Sequence, residues 1–199
     1  PKYEDYARLI KSHPNGFDLL QNACTVKDLN FTPEHDTEYK YIELSNIGNS
    51  GEITDCTVAQ GAELPTRARL TVKANDVIIS SIEGSLSSCA LVTEEYDNAL
   101  CSTGFYVINS YQINSETLLV LFKSEPIQNI LKQNCSGTIL TAVNKTGVQN
   151  IPIPLVDKEI QREITTLIKK SFVLRAESER LLDEAKEMVE REIECGART

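Results

Sequence analysis

The sequence lacks the groupings of side chains on which most enzyme and metal sites depend. It has two histidines, His13 and His35, and six cysteines, no two of which form a CxxC pair. A zinc site or a cysteine nucleophile would need a second cysteine or a histidine close by. We therefore expect no catalytic residue, no metal ion and no bound cofactor in this chain.

Long apolar runs and a secretory leader are also missing. Every apolar run is short, and the first ten residues are charged and aromatic, so neither a membrane span nor a leader is predicted. Several of the cysteines lie singly inside apolar runs, as free buried thiols commonly do. These absences predict a reduced protein of the cytoplasm.

Phosphate-binding loops and an excess of basic charge are absent as well. The sequence has no GxxxxGK motif and no Asn-Pro-Pro-Tyr-like or Asp-Pro-Pro-Tyr-like tetrapeptide, which adenine methyltransferases use around the target base. The net charge is −9, whereas autonomous nucleic-acid binders usually have a basic surface. Any contact with DNA must come from a local patch, or be shared with a partner that supplies most of the attraction to phosphate.

Up to about Pro154 the sequence has short apolar runs separated by glycine, asparagine, serine and proline, which is typical of strands and loops. The predicted strands are 39–46, 52–58, 76–82, 90–93 and 105–108. Residues 116–133 have helical spacing, with Pro126 opening a second helix. The pattern predicts an α+β fold: a small mixed-sheet domain over residues 1–155, then one long coiled-coil helix over residues 156–199.

The predicted long helix has a regular apolar repeat. Residues Lys158 to Glu194 contain neither glycine nor proline and follow Asp157, a good N-cap residue. A 4-3-4-3 spacing, here called the heptad seam, runs through Ile160, Ile164, Leu167, Ser171, Leu174, Ser178, Leu181, Ala185 and Met188. The helix either lies across its own domain or forms an arm that pairs with another helix, and about four heptads favour the arm. The two serines are weak positions in such a pair.

Several stretches, taken in order, resemble the specificity subunit of type I restriction–modification enzymes. They are Tyr41–Ile47 with Gly51–Ile53, Ala74–Ser80, Ser102–Ile108, the run from Ser136-Gly137-Thr138 through Ile151-Pro152-Ile153-Pro154 to Glu159–Ile164, and Leu181–Lys186. The resemblance covers about residues 16–193 and fits one target recognition domain followed by one spacer helix. The family usually carries two of each, so the chain is either a half-subunit that dimerises or a recognition domain excised from a larger polypeptide.

The resemblance implies a division of labour. The domain would read base edges in the major groove of double-stranded DNA, and its helix would pair with a second spacer helix, in self-association or otherwise, to set the distance between two half-sites. Methyl transfer and S-adenosylmethionine would belong to a partner adenine methyltransferase, with an endonuclease subunit as a further partner. No membrane contact is expected.

The candidates for DNA contact come from two basic or polar regions and one small-residue loop. They are Arg67, Arg69, Lys73, Ser85, Ser136, Thr138, Asn144 and Lys145. The three basic residues 67, 69 and 73 would hold phosphates or read guanine, although a solvated strand edge explains them equally well. Glu83 makes its loop poorer at approaching phosphate. The helix-pairing candidates are Ile160, Ile164, Leu167, Leu174, Leu181, Ala185 and Met188.

A second hypothesis is an interaction scaffold that uses its long helix to oligomerise and does not touch DNA. The acidic charge favours this alternative. Salt-sensitive, sequence-selective binding to duplex DNA separates the two hypotheses, because a scaffold shows none.

Overall fold

The computed structural model of the protein describes residues 2–27, 30–137 and 141–196. The helices within these residues are α1 (Lys2–Lys11), α2 (Leu20–Ala23), α3 (Ser115–Lys123), α4 (Glu125–Gln133), α5 (Lys145–Gln149) and α6 (Lys158–Gly196). The strands are β1 (Phe17–Leu19), β2 (Thr25–Lys27), β3 (Glu38–Ile42), β4 (Thr57–Gln60), β5 (Ala68–Thr71), β6 (Val77–Ser80), β7 (Cys89–Leu91), β8 (Leu100–Ser102), β9 (Phe105–Asn109), β10 (Cys135–Ser136), β11 (Ala142–Val143) and β12 (Pro152–Pro154). The chain divides into two compact units, one ending at Gln161 and the other beginning at Arg162.

Two four-stranded sheets form the framework of the first unit. One has the strand order β2-β9-β6-β7, with every neighbouring pair antiparallel. The other has the order β4-β3-β8-β5, and its β3–β8 pair is parallel while its other pairs are antiparallel. Strands β1 and β12 form a further antiparallel pair, as do β10 and β11. The predicted α+β class with a mixed sheet is confirmed.

One cluster of buried residues joins the two four-stranded sheets. Ile78 and Val107 from the first sheet share this cluster with Ile42 and Cys101 from the second. Every residue of β6 is buried, and α3 contacts both β6 and β7. Burying one such aliphatic side chain contributes about 1.5–3 kcal/mol, so this core holds the loops at the strand ends in place.

The predicted strands have different ends in the structure. The predicted strand 39–46 ends at Ile42, because residues 44–46 form a 3-10 helix in which the Asn46 side chain accepts a hydrogen bond from the Glu43 backbone N–H at 2.9 Å. Residues 52–56 are not a strand, so the predicted strand 52–58 is wrong over most of its length. Gly48 and Thr54 instead donate local backbone hydrogen bonds, from the Gly48 N–H to the Glu52 carbonyl at 2.9 Å and from the Thr54 N–H to the Asn46 carbonyl at 2.8 Å.

The predicted helical segment 116–133 is two helices, as expected. The side chain of Asn114 caps α3 by accepting a hydrogen bond from the Thr117 backbone N–H at 2.9 Å. Pro126 lies in the first turn of α4, where its missing N–H costs nothing. Helix α4 buries Ile127, Ile130 and Leu131 on one face.

The predicted long helix is confirmed as α6, which has 39 residues and a length of about 58 Å at 1.5 Å per residue. It carries ion pairs one turn apart on its own surface, such as Arg180 with both Glu177 and Glu184 and Lys186 with Asp183. Each such pair stabilises a helix by about 0.2–0.5 kcal/mol. None of the described helices is long and apolar enough to cross a lipid bilayer.

Candidate nucleic-acid interface

Backbone hydrogen bonds join four loop segments into one continuous surface. This loop face consists of Arg67, residues 81–85, residues 102–104 and residues 141–143. The Thr103 N–H donates to the Arg67 carbonyl at 2.9 Å, and the Ser81 N–H donates to the Gly104 carbonyl at 2.9 Å. The Val143 N–H donates to the Ser81 carbonyl at 2.8 Å, and the Glu83 N–H donates to the Thr141 carbonyl at 2.9 Å. Segments far apart in sequence are therefore bonded together, with Ser102 and Val143 buried beneath and Arg67, Gly84 and Thr103 exposed.

The guanidinium of Arg67 lies at one side of the loop face and is held by a carboxylate. Arg67 Nη2 donates to Glu43 Oε2 at 3.1 Å, and the Ser45 hydroxyl donates to Glu43 Oε1 at 3.1 Å. Interaction with the buried Tyr41 hydroxyl, and then with the Glu43 carboxylate, raises the pKa of Arg67 above its ordinary value. A cavity of about 270 Å³ opens here between Glu43, Leu44, Ser45, Arg67 and Ser102.

Ser85 lies on the loop face, but its hydroxyl is used within the loop. The hydroxyls of Ser80 and Ser85 lie 2.8 Å apart, and the Ser80 oxygen also accepts from the Ile82 backbone N–H at 3.1 Å. Next to it, Gly84 has open space where a Cβ would lie, so the backbone there is accessible from outside. Ser85 thus shapes the loop, and the exposed part of the loop is its backbone.

The polar loop predicted around residues 136–145 is only partly described. Ser136 is exposed on β10 and pairs in register with Ala142, next to the loop face. Asn144 is the N-cap of α5, where its side-chain oxygen accepts from the Gly147 N–H at 2.8 Å, and Lys145 begins that helix. Thr138 lies outside the described residues. The Asn144 side chain therefore has a structural partner.

The predicted basic cluster is divided by β5. Arg67 precedes the strand, next to the loop face, whereas Lys73 follows it at the other end and its ammonium donates to the Asn98 side-chain oxygen. A strand of four residues is about 13 Å long, which keeps the two charges apart. The pairing of β5 with β8 shifts in register between Ala68 and Leu70, a bulge that includes Arg69. Arg69 Nε donates back to the Thr66 carbonyl at 2.8 Å. Only Arg67 of the three joins the loop face.

Several residues in or beside the loop face are not among the DNA-contact residues predicted from the sequence. They are Glu43, Ser45, Ser81, Ser102, Thr103 and Gly104. The turn Ser102-Thr103-Gly104 is a cluster of small residues, which is a recognisable loop signal. The contact of Glu43 with Arg67 spans 24 positions, and no local pattern marks it. The aromatic neighbours behave as core residues: Phe105 is buried, and the Tyr106 hydroxyl donates to the Val143 carbonyl at 2.9 Å.

Asp76 is a buried carboxylate that positions the end of β6 opposite to the loop face. Lys27 Nζ lies 2.6 Å from Asp76 Oδ2, which also accepts from the Lys73 backbone N–H at 2.8 Å. Asn109 Nδ2 donates to the other oxygen at 3.3 Å. Asp76 thus links β2, β9 and the turn before β6, and its role is structural.

Gln161, in the first turn of α6, belongs to the first unit and is bonded to other residues of that unit. Its side chain is buried, and its oxygen accepts from the Asn114 backbone N–H at 2.9 Å. Its amide nitrogen donates to the Val156 carbonyl at 2.8 Å, and Asn114 Nδ2 donates to the Gln161 carbonyl at 3.1 Å. A buried amide with its donors and acceptors satisfied holds one geometry.

The second unit exposes most of the heptad seam. Leu167, Leu174, Leu181 and Met188 are each more than half exposed, and Ala185 is exposed as well. Ile160, which belongs to the first unit, is also exposed, while Ile164 is half-buried. Repeated large apolar side chains on one stripe of a helix are typical of a surface that another helix covers.

The described residues contain no group of three or more histidine, cysteine, aspartate and glutamate side chains that could hold a metal ion. All six cysteines are unpaired. Burial raises the pKa of both Cys24 and Cys89 to about 11, so these thiols stay protonated and unreactive near neutral pH.

The first unit is thus a two-sheet α+β domain with a polar loop face, and a long helix follows in the chain. The model of the Type I restriction modification DNA specificity domain matches residues 17–183. The chain belongs to this family, which confirms the resemblance found in the sequence.

Individual relatives agree with the family. The specificity subunit of the type I restriction enzyme HindI from Haemophilus influenzae is 26% identical over 156 residues, which are 76% of this chain and 33% of that protein. The solved HsdS subunit from Thermoanaerobacter tengcongensis is 30% identical, with a TM-score of 0.70 over 86% of this chain and 46% of that one.

A chain from a structural study of complex assembly and conformational transition of the type I R-M system is 31% identical. Its TM-score is also 0.70, over 87% of this chain and 46% of that one. The chain thus spans about a third of the curated relative and just under half of the solved ones.

Proposed function

We propose that this chain reads DNA sequence for a type I restriction–modification system, in the cytoplasm, and that it performs no chemistry itself. Methyl transfer, and cleavage where it occurs, belong to a partner adenine methyltransferase and an endonuclease subunit. The relatives are specificity subunits of such systems, and the match covers most of this chain.

The loop face is the observation that carries the proposal. The exposed Thr103, the accessible backbone at Gly84 and the guanidinium of Arg67 are the kinds of donors and acceptors that read base edges in the major groove. Bonds between its segments hold these groups on a rigid framework, as selective reading requires.

The net charge supports a shared mode of DNA binding. With a charge of −9, the chain attracts phosphate weakly, so a basic partner supplies most of the sequence-independent affinity. The exposed heptad seam offers a surface for a second spacer helix, from another copy or from the rest of a longer polypeptide. Two recognition domains at a fixed separation would read a target in two parts.

Methylation mapping tests the proposal directly. The chain is co-expressed with the adenine methyltransferase subunit of its own system in a host without other adenine methylation, and modified adenines are read by direct DNA sequencing. We expect one motif that is methylated only when the chain is present, and two separated half-sites if the helix sets a distance. A stable complex with the methyltransferase but no motif would contradict the proposal and favour a scaffold.

A further inference from the structure

The guanidinium of Arg67 is held in place and is still accessible. Its side chain is 61% exposed, and Glu43, which is 35% exposed, binds one of its amino groups. Both oxygens of Glu43 have a donor, since Ser45 occupies the second one. A guanidinium restrained in this way loses little conformational freedom when it binds a further group.

The surroundings of Arg67 favour an uncharged base edge over a phosphate. An arginine can form paired hydrogen bonds with either group. Here a carboxylate oxygen lies 3.1 Å from the guanidinium nitrogen, so its negative charge offsets that of Arg67 and repels a phosphate. A guanine presents two uncharged acceptors, N7 and O6, which the carboxylate repels much less than a charged phosphate.

The pair of side chains also matches a whole G·C base pair. In the major groove that pair presents the two guanine acceptors and then the amino donor of cytosine. Arg67 supplies donors and Glu43 an acceptor, side by side at the edge of one cavity. The donors of Arg67 and the acceptor of Glu43 thus correspond in kind to the acceptors of guanine and the donor of cytosine.

We propose that Arg67 reads the guanine of one G·C pair in the target, and that Glu43 is the residue that positions it and rejects phosphate. This inference rests on the proposed function and deepens it, because it assigns one base pair of the target to one pair of side chains.

Methylation mapping of the complex with Arg67→Ala and Arg67→Lys tests the inference. The wild-type motif should contain a G·C pair that becomes degenerate in R67A, while the other positions stay fixed. Loss of a paired contact with guanine lowers discrimination at one base pair by roughly 5- to 150-fold. R67K should retain less of the preference than the wild type, because a flexible ammonium is not pre-organised for the paired contact as a guanidinium is.

Duplex binding by the purified complex identifies the atom that is read. Each guanine of the motif is replaced in turn by 7-deazaguanine, which lacks the N7 acceptor. At one position this change should weaken binding by the wild type several-fold and leave binding by R67A unchanged. Glu43→Gln, which keeps an acceptor oxygen but loses the charge, should bind unrelated duplexes more tightly and with a steeper salt dependence.

Arg8→Ala is the matched control. Arg8 is also exposed and held by a carboxylate, with Nη2 2.8 Å from Asp5 Oδ1, but it lies on α1, which packs against α4 and β12. The Arg8→Ala substitution removes the same charge as Arg67→Ala and should leave the methylated motif unchanged. Thermal melting of every variant checks that the fold is retained.

The outcomes separate the inference from the proposed function. If R67A lowers methylation by the same factor at every site, and makes the salt dependence of DNA binding shallower, then Arg67 is a phosphate contact. That result would overturn the inference but leave the proposed function in place. An unchanged R67A motif would overturn the inference as well. If the wild-type complex methylates no defined motif, the proposed function fails and the inference fails with it.

Discussion

At the scale of single residues, the polar groups of the first unit divide into those that shape the domain and those that can face a ligand. Asp76 and Asn144 have their hydrogen-bonding capacity used within the fold, whereas Arg67 and the backbone at Gly84 remain accessible. A buried polar group without its partner costs stability, so a substitution of the first kind of residue should lower the free energy of unfolding. A substitution of the second kind of residue should change DNA binding instead.

Replacing Asp76 with alanine should strongly destabilise the domain. The change leaves the half-buried Lys27 ammonium and the Lys73 backbone N–H without their acceptor. Removing one partner of a buried ion pair costs about 3–5 kcal/mol, to be measured by urea unfolding. Asp36→Ala, at an exposed pair with His35, is the control and should cost less than about 1 kcal/mol. Equal effects of the two changes would contradict the structural role of Asp76.

The thiol of Cys89 should make stability fall at alkaline pH. Burial raises its pKa from 9.0 to about 11, so between these values the unfolded chain loses a proton that the folded chain keeps. The free energy of unfolding then decreases as pH rises, by up to about 1.4 kcal/mol per pH unit from this group. Unfolding of Cys89→Ala should show a smaller decrease between pH 9 and 11. Parallel pH profiles for the two proteins would contradict the raised pKa.

At the scale of elements, the long helix stands out because it repeats large apolar side chains along one stripe. Its first turn is fixed by Gln161, and its seam from Leu167 onward is exposed. The intrahelical ion pairs stabilise the helix as such, but they do not cover the seam. A partner helix is the physical complement of this pattern.

Leu174→Lys should weaken pairing through the seam. A charge at the centre of an apolar seam must be desolvated when the helices pair, so we expect the dissociation constant of the assembly to rise more than tenfold. Sedimentation of the chain, alone and with its methyltransferase, measures this. Val173→Lys is the matched control, because Val173 lies on the same turn and is 69% exposed, against 58% for Leu174, but lies off the seam. It should change the constant by less than about threefold. Equal losses in both variants would argue against the seam.

At the scale of the whole molecule, acidic charge and a DNA-reading surface coexist. The loop face includes one arginine, and that arginine is paired with Glu43. The affinity for phosphate expected of this chain is therefore small, and selectivity must come from directed contacts.

The chain alone should bind duplex DNA weakly and with a shallow salt dependence. Each phosphate contact contributes about −0.9 to the slope of log K against log salt, so we expect a slope shallower than about −3 for the chain. Its complex with the methyltransferase should show a clearly steeper slope. Fluorescence anisotropy of a labelled duplex at several salt concentrations gives both values. A steep slope for the isolated chain would contradict the shared mode of binding.

The sequence by itself determined the class of fold, the long helix with its seam, and the family. These features rest on local or periodic signals: β-branched runs such as Val77–Ile79, Pro126 at a helix start, and heptads without glycine or proline. Strand ends were predicted less well, because the turns at residues 44–56 depend on hydrogen bonds between particular side chains and backbone groups.

Only the tertiary structure decided which candidate residues lie together. Residues 67, 69 and 73 are close in sequence, yet a strand and a bulge separate them, while Arg67 meets Glu43 and Thr103 from distant segments. The seam could be read from the sequence because its spacing is repeated along one helix. The loop face could not, because its members are brought together by the pairing of β5, β6, β8 and β9, and that pairing depends on the packing of the whole domain.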